Sequence, residues 1–361
     1  MKVFHIITSF DIGGAERIAI NIAGSPNKEF EYHLIEIVRG HSKFTEGILK
    51  ELKHHRIIYH KAPFAVSNKI AIILFPFWFL LLVLRQHPQI IHTHTEVPDL
   101  SIFIFYKLFG WIFPKTKYVR TIHNTVLWNN WKATGAKVEQ FFKKKNANIA
   151  ISLYDGCNTQ QCYKKEYGKE VPIVYNGVEI LNQKTYKNIV KGKINVLFAG
   201  RLEFQKGIDE LIEVIKNLEN IDIYVFHVVG NGSLQKKVQT QLIKFKNVIL
   251  YDKIYGLSHY MGSFDYIFMP SNFEGLALTS IEASFAKTPV IANDCLGLNE
   301  TLPHNWPLLV KNNDVSQYLH LFKETIPNLN RSKLGNITYN FARKNFSLEN
   351  MRNGYETFYR Q

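Results

Sequence analysis

Two kinds of apolar pattern alternate along the chain. Short runs of mostly apolar residues read as buried strands, and longer segments with apolar positions three and four apart read as helices packed on them. Val3–Ile7 is the first run, followed by the glycine-containing turn Thr8–Gly14. Ala15, Ile18, Ala19, Ile22 and Ala23 then repeat at helical spacing before Gly24. Further strands are expected at Tyr32–Val38, Ile57–Tyr59, Gln89–His92, Tyr118–Ile122, Ala147–Ile151 and Ile173–Tyr175. A polar, lysine-rich stretch at 181–193 has the character of a linker. A second series starts beyond it: strands at Asn195–Gly200, Ile223–Val229, Val248–Tyr251, Tyr266–Met269 and Pro289–Ala292, with helices near Ile208–Leu218, Leu234–Leu242 and Leu257–Met261. Strands separated by helices imply parallel sheets covered on both faces, so the fold class is α/β. Leu348, Met351, Tyr355, Phe358 and Tyr359 lie on one face of a last helix, which must dock on something apolar.

Two segments depart from the amphipathic norm. Ile70–Leu84 is apolar throughout; it falls short of the roughly 20 residues that span a bilayer, and Pro76 is expected to interrupt it. Ser101–Phe113 is again oily and aromatic, followed by Lys115 and Lys117. Both lie in the basic half: residues 1–178 carry 23 Lys+Arg against 13 Asp+Glu, the remainder 21 against 17, for a net charge of +14. Oily helices beside basic residues suit a protein lying on an anionic membrane, with Phe77, Trp78 and Phe79 expected at the lipid. Charge alone would also admit nucleic acid, but the aromatics sit in apolar runs and not in an RNA-binding pattern, so no nucleic-acid partner is expected. Cys157, Cys162 and Cys295 are odd in number and lack paired spacing, which suggests neither a disulfide framework nor a zinc site and fits a reducing cytoplasm. Met1-Lys2 runs directly into a strand, so no secretory leader is expected.

The chemistry gathers at strand ends. Pro270–Ala283 (PSNFEGLALTSIEA) leaves a strand, turns at Glu274-Gly275 and enters a helix that carries Glu282. A helix start suits an anion, and two carboxylates beside it can hold hydroxyls. Arg201 and Lys206, in the loop after the Asn195–Gly200 strand, can clamp a diphosphate. Gly13-Gly14 and the Gly230-Asn231-Gly232 turn allow close backbone approach. His92 and His94 (IIHTHTE) and His123 (RTIHNT) stand at strand ends, where open parallel sheets place ligands.

With GGAER near the start, GRLEFQKG after the first strand of the second series and PSNFEGLALTSIEA beyond, the sequence resembles the large family 4 of retaining, nucleotide-sugar-dependent glycosyltransferases of GT-B fold. The resemblance covers nearly the whole chain. It implies two Rossmann-like domains facing across a cleft: an acceptor-side domain over 1–180, a linker over 181–193, a donor-binding domain over 194–343, and a helix over 344–361 crossing back to the first domain. It also implies that Arg201 and Lys206 hold the donor diphosphate, Glu282 the ribose hydroxyls and Glu274 hydroxyls of the transferred sugar. The Leu278 and Thr279 amides and Gly275 would complete that wall, with Gly230 at its turn and Gly13-Gly14 opposite. His94 is the first choice for a catalytic contact from the N-terminal domain, His123 the second. The chain departs from the family at Ala277 and at Lys287, where glycines are usual.

Glycosyl transfer puts positive charge on the sugar ring and negative charge on the departing diphosphate. Retention is implied, with the leaving phosphate drawing the acceptor proton, so no protein nucleophile is expected. The chain has no Asp-x-Asp pair, and metal-independent transfer without a cofactor is the expectation. The partners expected are a nucleotide-sugar, UDP-linked first, and a membrane-anchored glycan such as a polyprenyl-diphosphate-linked or lipopolysaccharide-type acceptor, met at the inner face of the cell membrane. A nucleotide-sugar 2-epimerase of the same architecture and a non-catalytic nucleotide-sugar binder are the alternatives.

Overall fold

The computed structural model describes residues 1–11, 13–41, 45–123, 127–128, 131–152 and 159–361. Two compact units are present. The first comprises residues 1–152 and 159–177 among those described, together with Leu348–Gln361; the second is Val178–Ser347.

In the first unit the elements run β1 (Lys2–Ile7), α1 (Gly14–Ala23), β2 (Glu31–Glu36), α2 (Thr45–His54), β3 (Ile58–His60), α3 (Asn68–Gln86), β4 (Ile90–Thr93), α4 (Glu96–Phe109), β5 (Lys117–Ile122), α5 (Lys132–Lys144), β6 (Asn148–Ala150) and α6 (Thr159–Tyr167). The second unit holds β7 (Ile194–Ala199), α7 (Ile208–Asn217), β8 (Tyr224–Val229), α8 (Gln235–Leu242), β9 (Val248–Tyr251), β10 (Tyr266–Met269), α9 (Leu278–Phe285), β11 (Val290–Asn293), β12 (Leu309–Val310), α10 (Val315–His320) and α11 (Arg331–Phe346). The last helix, α12 (Leu348–Arg360), belongs to the first unit.

Each unit has a six-stranded parallel sheet, ordered β3-β2-β1-β4-β5-β6 in one and β9-β8-β7-β10-β11-β12 in the other. This is one winding used twice. The strand order reverses between β1 and β4 and between β7 and β10, and a doubly wound sheet binds ligands at the carboxyl ends flanking that reversal. Buried aliphatic and aromatic side chains fill both faces, Phe4, Phe75, Phe79 and Phe105 in the first unit and Phe226, Phe264 and Phe268 in the second.

Local chemistry fixes the loops. Glu36, at the end of β2, is fully buried and accepts from the amides of Phe10 and Gly40 (3.0 Å each) and Ala62 (3.1 Å). One carboxylate thereby ties three loop segments. Arg120 on β5 is buried between Asp99 and Glu139, each at 2.7 Å, and the Trp128 indole donates to Glu139 at 2.6 Å. Helix α12 docks through buried Met351, Tyr355 and Tyr359, while its Glu356 accepts from Ser25 and Asn27 at 2.6 Å.

Several expectations are corrected. Helix α3 passes through Pro76 without a break and is 19 residues long, enough by length and composition to cross a membrane. Its inner face is core: Ala71, Ile72, Phe75, Pro76, Phe79 and Val83 are buried. Phe79 is therefore not a surface residue, and Trp78 is half-buried. Ile173 makes only an isolated bridge to Ala150, and Leu257–Met261 is a pair of 3-10 turns. The stretch read as a linker lies along the second unit, with Tyr186 buried in its core and the Lys184 amide donating to the His259 carbonyl at 2.7 Å. Cys295 is buried; Cys157 lies outside the described residues, as does the side chain of Cys162.

Candidate functional site

In the second unit, β7 and β10 carry the site to the switch point. After Gly200 the chain makes a short turn (Phe204–Lys206) and enters α7 through Gly207, whose φ is 65°. A Cβ at Gly207 would lie 1.7 Å from the Pro270 carbonyl oxygen, so only glycine lets this loop press on the one that leaves β10. Three hydrogen bonds close the contact: Asn272 donates from its backbone to the Gln205 carbonyl and from its side chain to the Phe204 carbonyl (2.8 Å each), and Asn313 donates to the Pro270 carbonyl at 2.8 Å. Gly230, at φ 154°, lies directly over Gly200; a Cβ there would meet the Gly200 carbonyl at 1.9 Å.

This packing brings Lys206 to Glu274. The ammonium stands 2.6 Å from Glu274 Oε1, which also accepts from the Ser271 hydroxyl at 2.8 Å, and Gln205 Nε2 is 3.5 Å from Oε2. Glu274 is 6% exposed, so its charge is stabilised by these partners and not by water. Arg201 is exposed on the same loop, and Gln205 Oε1 at 3.5 Å is its one side-chain hydrogen-bond acceptor among the described residues. The backbone of Glu274 is held in turn, its amide donating to the Leu296 carbonyl, while the Ala277 amide donates to the Gly297 carbonyl (2.9 Å each).

Glu274-Gly275 precedes α9. The Leu278 amide is already engaged with the Leu276 carbonyl at 2.9 Å, contrary to the expectation that it would be free for a phosphate. The Thr279 amide has no partner among the described residues and is the first-turn donor that remains. Gly275 has open space where a Cβ would stand. Glu282, half-buried on α9, has no side-chain hydrogen bond among the described residues, and burial pushes its carboxyl up to about 7. Of the two departures from the family, Ala277 has negative φ and needs no glycine. Lys287 does hold a left-handed backbone, φ 57°, at a cost of about 1–2 kcal/mol.

The first unit presents Gly13 as the cap of α1 and Gly14 as its first residue, Gly14 with open space around it. Ile12, in the same turn, lies outside the described residues. Across that unit's switch point the Thr8 and Thr95 hydroxyls are 3.1 Å apart. His94 is 1% exposed and both ring nitrogens are taken: Nε2 lies 2.8 Å from His5 Nδ1, and Nδ1 lies 3.3 Å from His123 Nε2. His123 is half-buried, and its Nδ1 has no partner among the described residues. Burial pushes His5 and His123 down to about 3 and lowers His92 and His94, which disfavours the charged form of all four rings.

Sequence reasoning missed Ser271, Gln205, Asn313 and His5. Only His5 carried a signal, as a polar residue inside the apolar run of β1.

Glu282 gives a pH test of its own. Its proton is held more tightly folded than unfolded, so stability falls as pH rises from about 4.5 to 7 and the loss is constant above. Glu282→Gln should be the more stable protein at pH 8, by up to about 3 kcal/mol, with most of the gain gone at pH 5. Urea unfolding at the two pH values measures it; an equal difference at both would rule out the buried, unpaired carboxyl.

Two family profiles match the chain: Glycosyltransferase Family 4 over residues 12–180 and Glycosyl transferases group 1 over residues 180–340. A protein of the Klebsiella pneumoniae cps region, itself described as uncharacterized, is 28% identical over 100% of this chain and 99% of its own. CapH of Staphylococcus aureus, a capsular polysaccharide biosynthesis glycosyltransferase, is 23% identical over 81% of each chain. Among solved structures, Anabaena HepE in complex with UDP superposes with a TM-score of 0.79 at 17% identity, covering 99% of each chain. With both sheets wound in the same order and the two profiles together spanning residues 12–340, the chain belongs to the family 4 glycosyltransferases and has the GT-B fold.

Proposed function

We propose that this chain transfers a sugar, with retention of configuration, from a nucleotide-diphosphate donor to a membrane-anchored glycan in surface-polysaccharide assembly. The observation that carries this is the Lys206–Glu274 pair at the β7/β10 switch point with Arg201 exposed beside it. Arg201 and Lys206 supply positive charge where a departing diphosphate becomes more negative, the Thr279 amide adds a donor, and Glu274, held by Lys206 and Ser271, accepts from sugar hydroxyls. Glu282, freed of its proton, accepts from a ribose diol. The anomeric C–O bond to the diphosphate breaks, the acceptor oxygen bonds the same face, and the acceptor proton passes to the leaving phosphate. Within the first unit, His123, which keeps a ring nitrogen available among the described residues, replaces His94 as the first choice for hydrogen-bonding a sugar hydroxyl.

A UDP-sugar is the leading donor, since HepE binds UDP, and a capsule-type or lipid-linked glycan the leading acceptor, since CapH acts in capsule biosynthesis. Transfer without metal rests on the absence of an Asp-x-Asp pair from the sequence. Incubated with UDP-, GDP- and ADP-sugars and extracted polyprenyl-linked glycans, the protein should consume one donor only when acceptor is present. Proton NMR of the product should show the donor's anomeric configuration. Lys206→Ala should slow the reaction about 100- to 1,000-fold. Donor conversion without acceptor would instead favour the epimerase, and activity abolished by EDTA and restored by manganese would contradict metal-free transfer.

The acceptor's membrane accounts for α3. Ile70, Ile73, Leu74, Phe77, Leu81 and Leu84 form an exposed stripe at three-, four- and seven-residue spacing, opposite the face that packs in the core. Phe77 touches Phe109 of α4 (ring centroids 5.9 Å apart), which continues the oily surface to Leu108 and to Trp111, 77% exposed. Lys69, Arg85, Lys107 and Lys115 are exposed at its margins. The stripe suits the acyl boundary and the lysines the headgroups of an anionic leaflet on the cytoplasmic side. The intact protein should sediment with vesicles containing phosphatidylglycerol and lose most of that binding on Phe77→Ser, Leu81→Ser and Trp111→Ser together. Equal recovery of a folded triple variant would remove the membrane from the account.

A further inference from the structure

Beneath the strand ends of the first unit lies one continuous hydrogen-bonded chain that the proposed chemistry leaves unused. His123 Nε2 meets His94 Nδ1 (3.3 Å), and His94 Nε2 meets His5 Nδ1 (2.8 Å). His5 Nε2 lies 3.5 Å from the Tyr359 hydroxyl, which is 2.7 Å from His92 Nδ1. His92 Nε2 meets the Thr121 hydroxyl (2.8 Å), and Thr121 donates to the Tyr355 hydroxyl oxygen (3.0 Å). The chain threads β1, β4, β5 and α12. All of its members except His123 are at most 3% exposed.

A neutral imidazole has one N–H and one lone pair, so each ring in such a chain must donate on one side and accept on the other. The direction set at one end is therefore imposed on all. Thr121 gives its proton to Tyr355, so it must accept from His92 Nε2–H. His92 Nδ1 is then bare and accepts from Tyr359, whose oxygen accepts from His5 Nε2–H. The same step repeats through His94 to His123, and all four rings become Nε2–H tautomers. His123 is left with a lone pair on Nδ1. Reversing the hydroxyl end would turn every ring over and leave an N–H there instead.

We propose that Thr121, Tyr355 and Tyr359 are positioning residues that fix the tautomer of His123 through His92, His5 and His94, so that His123 offers an acceptor to a sugar hydroxyl. The last helix thus sets the hydrogen-bonding polarity of a strand-end histidine. The inference rests on the reading of His123 as a sugar contact. His5, His92 and His94 also offer ring nitrogens all within 4.8 Å of one another, the arrangement of a metal site, but here those nitrogens are taken up in the chain.

The test is a long-range proton–nitrogen NMR correlation on the full chain labelled with 15N-histidine at neutral pH. Four histidines should show the pure neutral Nε2–H pattern. Tyr359→Phe should leave His92 in that state and mix the tautomers of His5, His94 and His123, and kcat should fall about tenfold with donor KM unchanged, the loss of one neutral hydrogen bond. Thr121→Val breaks the chain independently should Tyr359→Phe fail to fold, and Thr121→Ser should restore the native pattern. Mixed tautomers in the native protein, cationic rings, or zinc bound stoichiometrically at the histidines would overturn the proposal, as would unchanged kcat once the tautomers are scrambled. His123→Ala separates the two layers: native kcat in that variant would discard the sugar contact itself, whatever the tautomers show.

Discussion

A carboxylate as enclosed as Glu274 is tolerable only when a cation and further donors face it, and Lys206 with Ser271 meets that condition. The ion pair joins the loop after β7 to the loop after β10, and the surrounding backbone exists to make it possible. Gly207 lets the loops touch, Asn272 and Asn313 clamp them, and Leu296 holds the Glu274 amide. The pairing also fixes where both groups point, and under the proposed function the ammonium turns to a phosphate while the carboxylate keeps its Ser271 bond.

The same winding in both units explains why chemistry appears at corresponding places. In the second unit the reversal point gathers charge, Arg201, Lys206 and Glu274. In the first it gathers neutral donors and acceptors, with Thr8 and Thr95 facing each other and the histidines behind them. The contrast follows from burial. The second unit keeps its cations at or near the surface, whereas His5, His92 and His94 are enclosed deeply enough that burial disfavours their charged form.

Much of this was legible in the sequence. Apolar periodicity gave the strand and helix alternation, and the order of GGAER, GRLEFQKG and PSNFEGLALTSIEA pointed to the family. The Lys206–Glu274 contact was not legible, because 68 residues separate its partners and only the β7–β10 pairing brings them together. Pro76 misled the reading of α3, since a proline in a helix anchored by a buried face need not end it. His94 misled for another reason: it stands just after β4, as the pattern placed it, but His5, from a strand 89 residues earlier, occupies its Nε2. The Glu282 carboxyl, unpartnered among the described residues, could not have been read from an eight-residue spacing.

The most direct test of the central claim is the calorimetric affinity of UDP for three proteins. Lys206→Ala should weaken binding about ten- to a hundredfold through loss of a charge-assisted contact to the diphosphate. Glu274→Gln, which releases Lys206 from its partner, should keep the native affinity for UDP or tighten it, while losing the additional affinity the native protein shows for the intact nucleotide-sugar. An unchanged affinity in Lys206→Ala, or equal weakening in both variants, would mean that the pair serves only to hold two loops together.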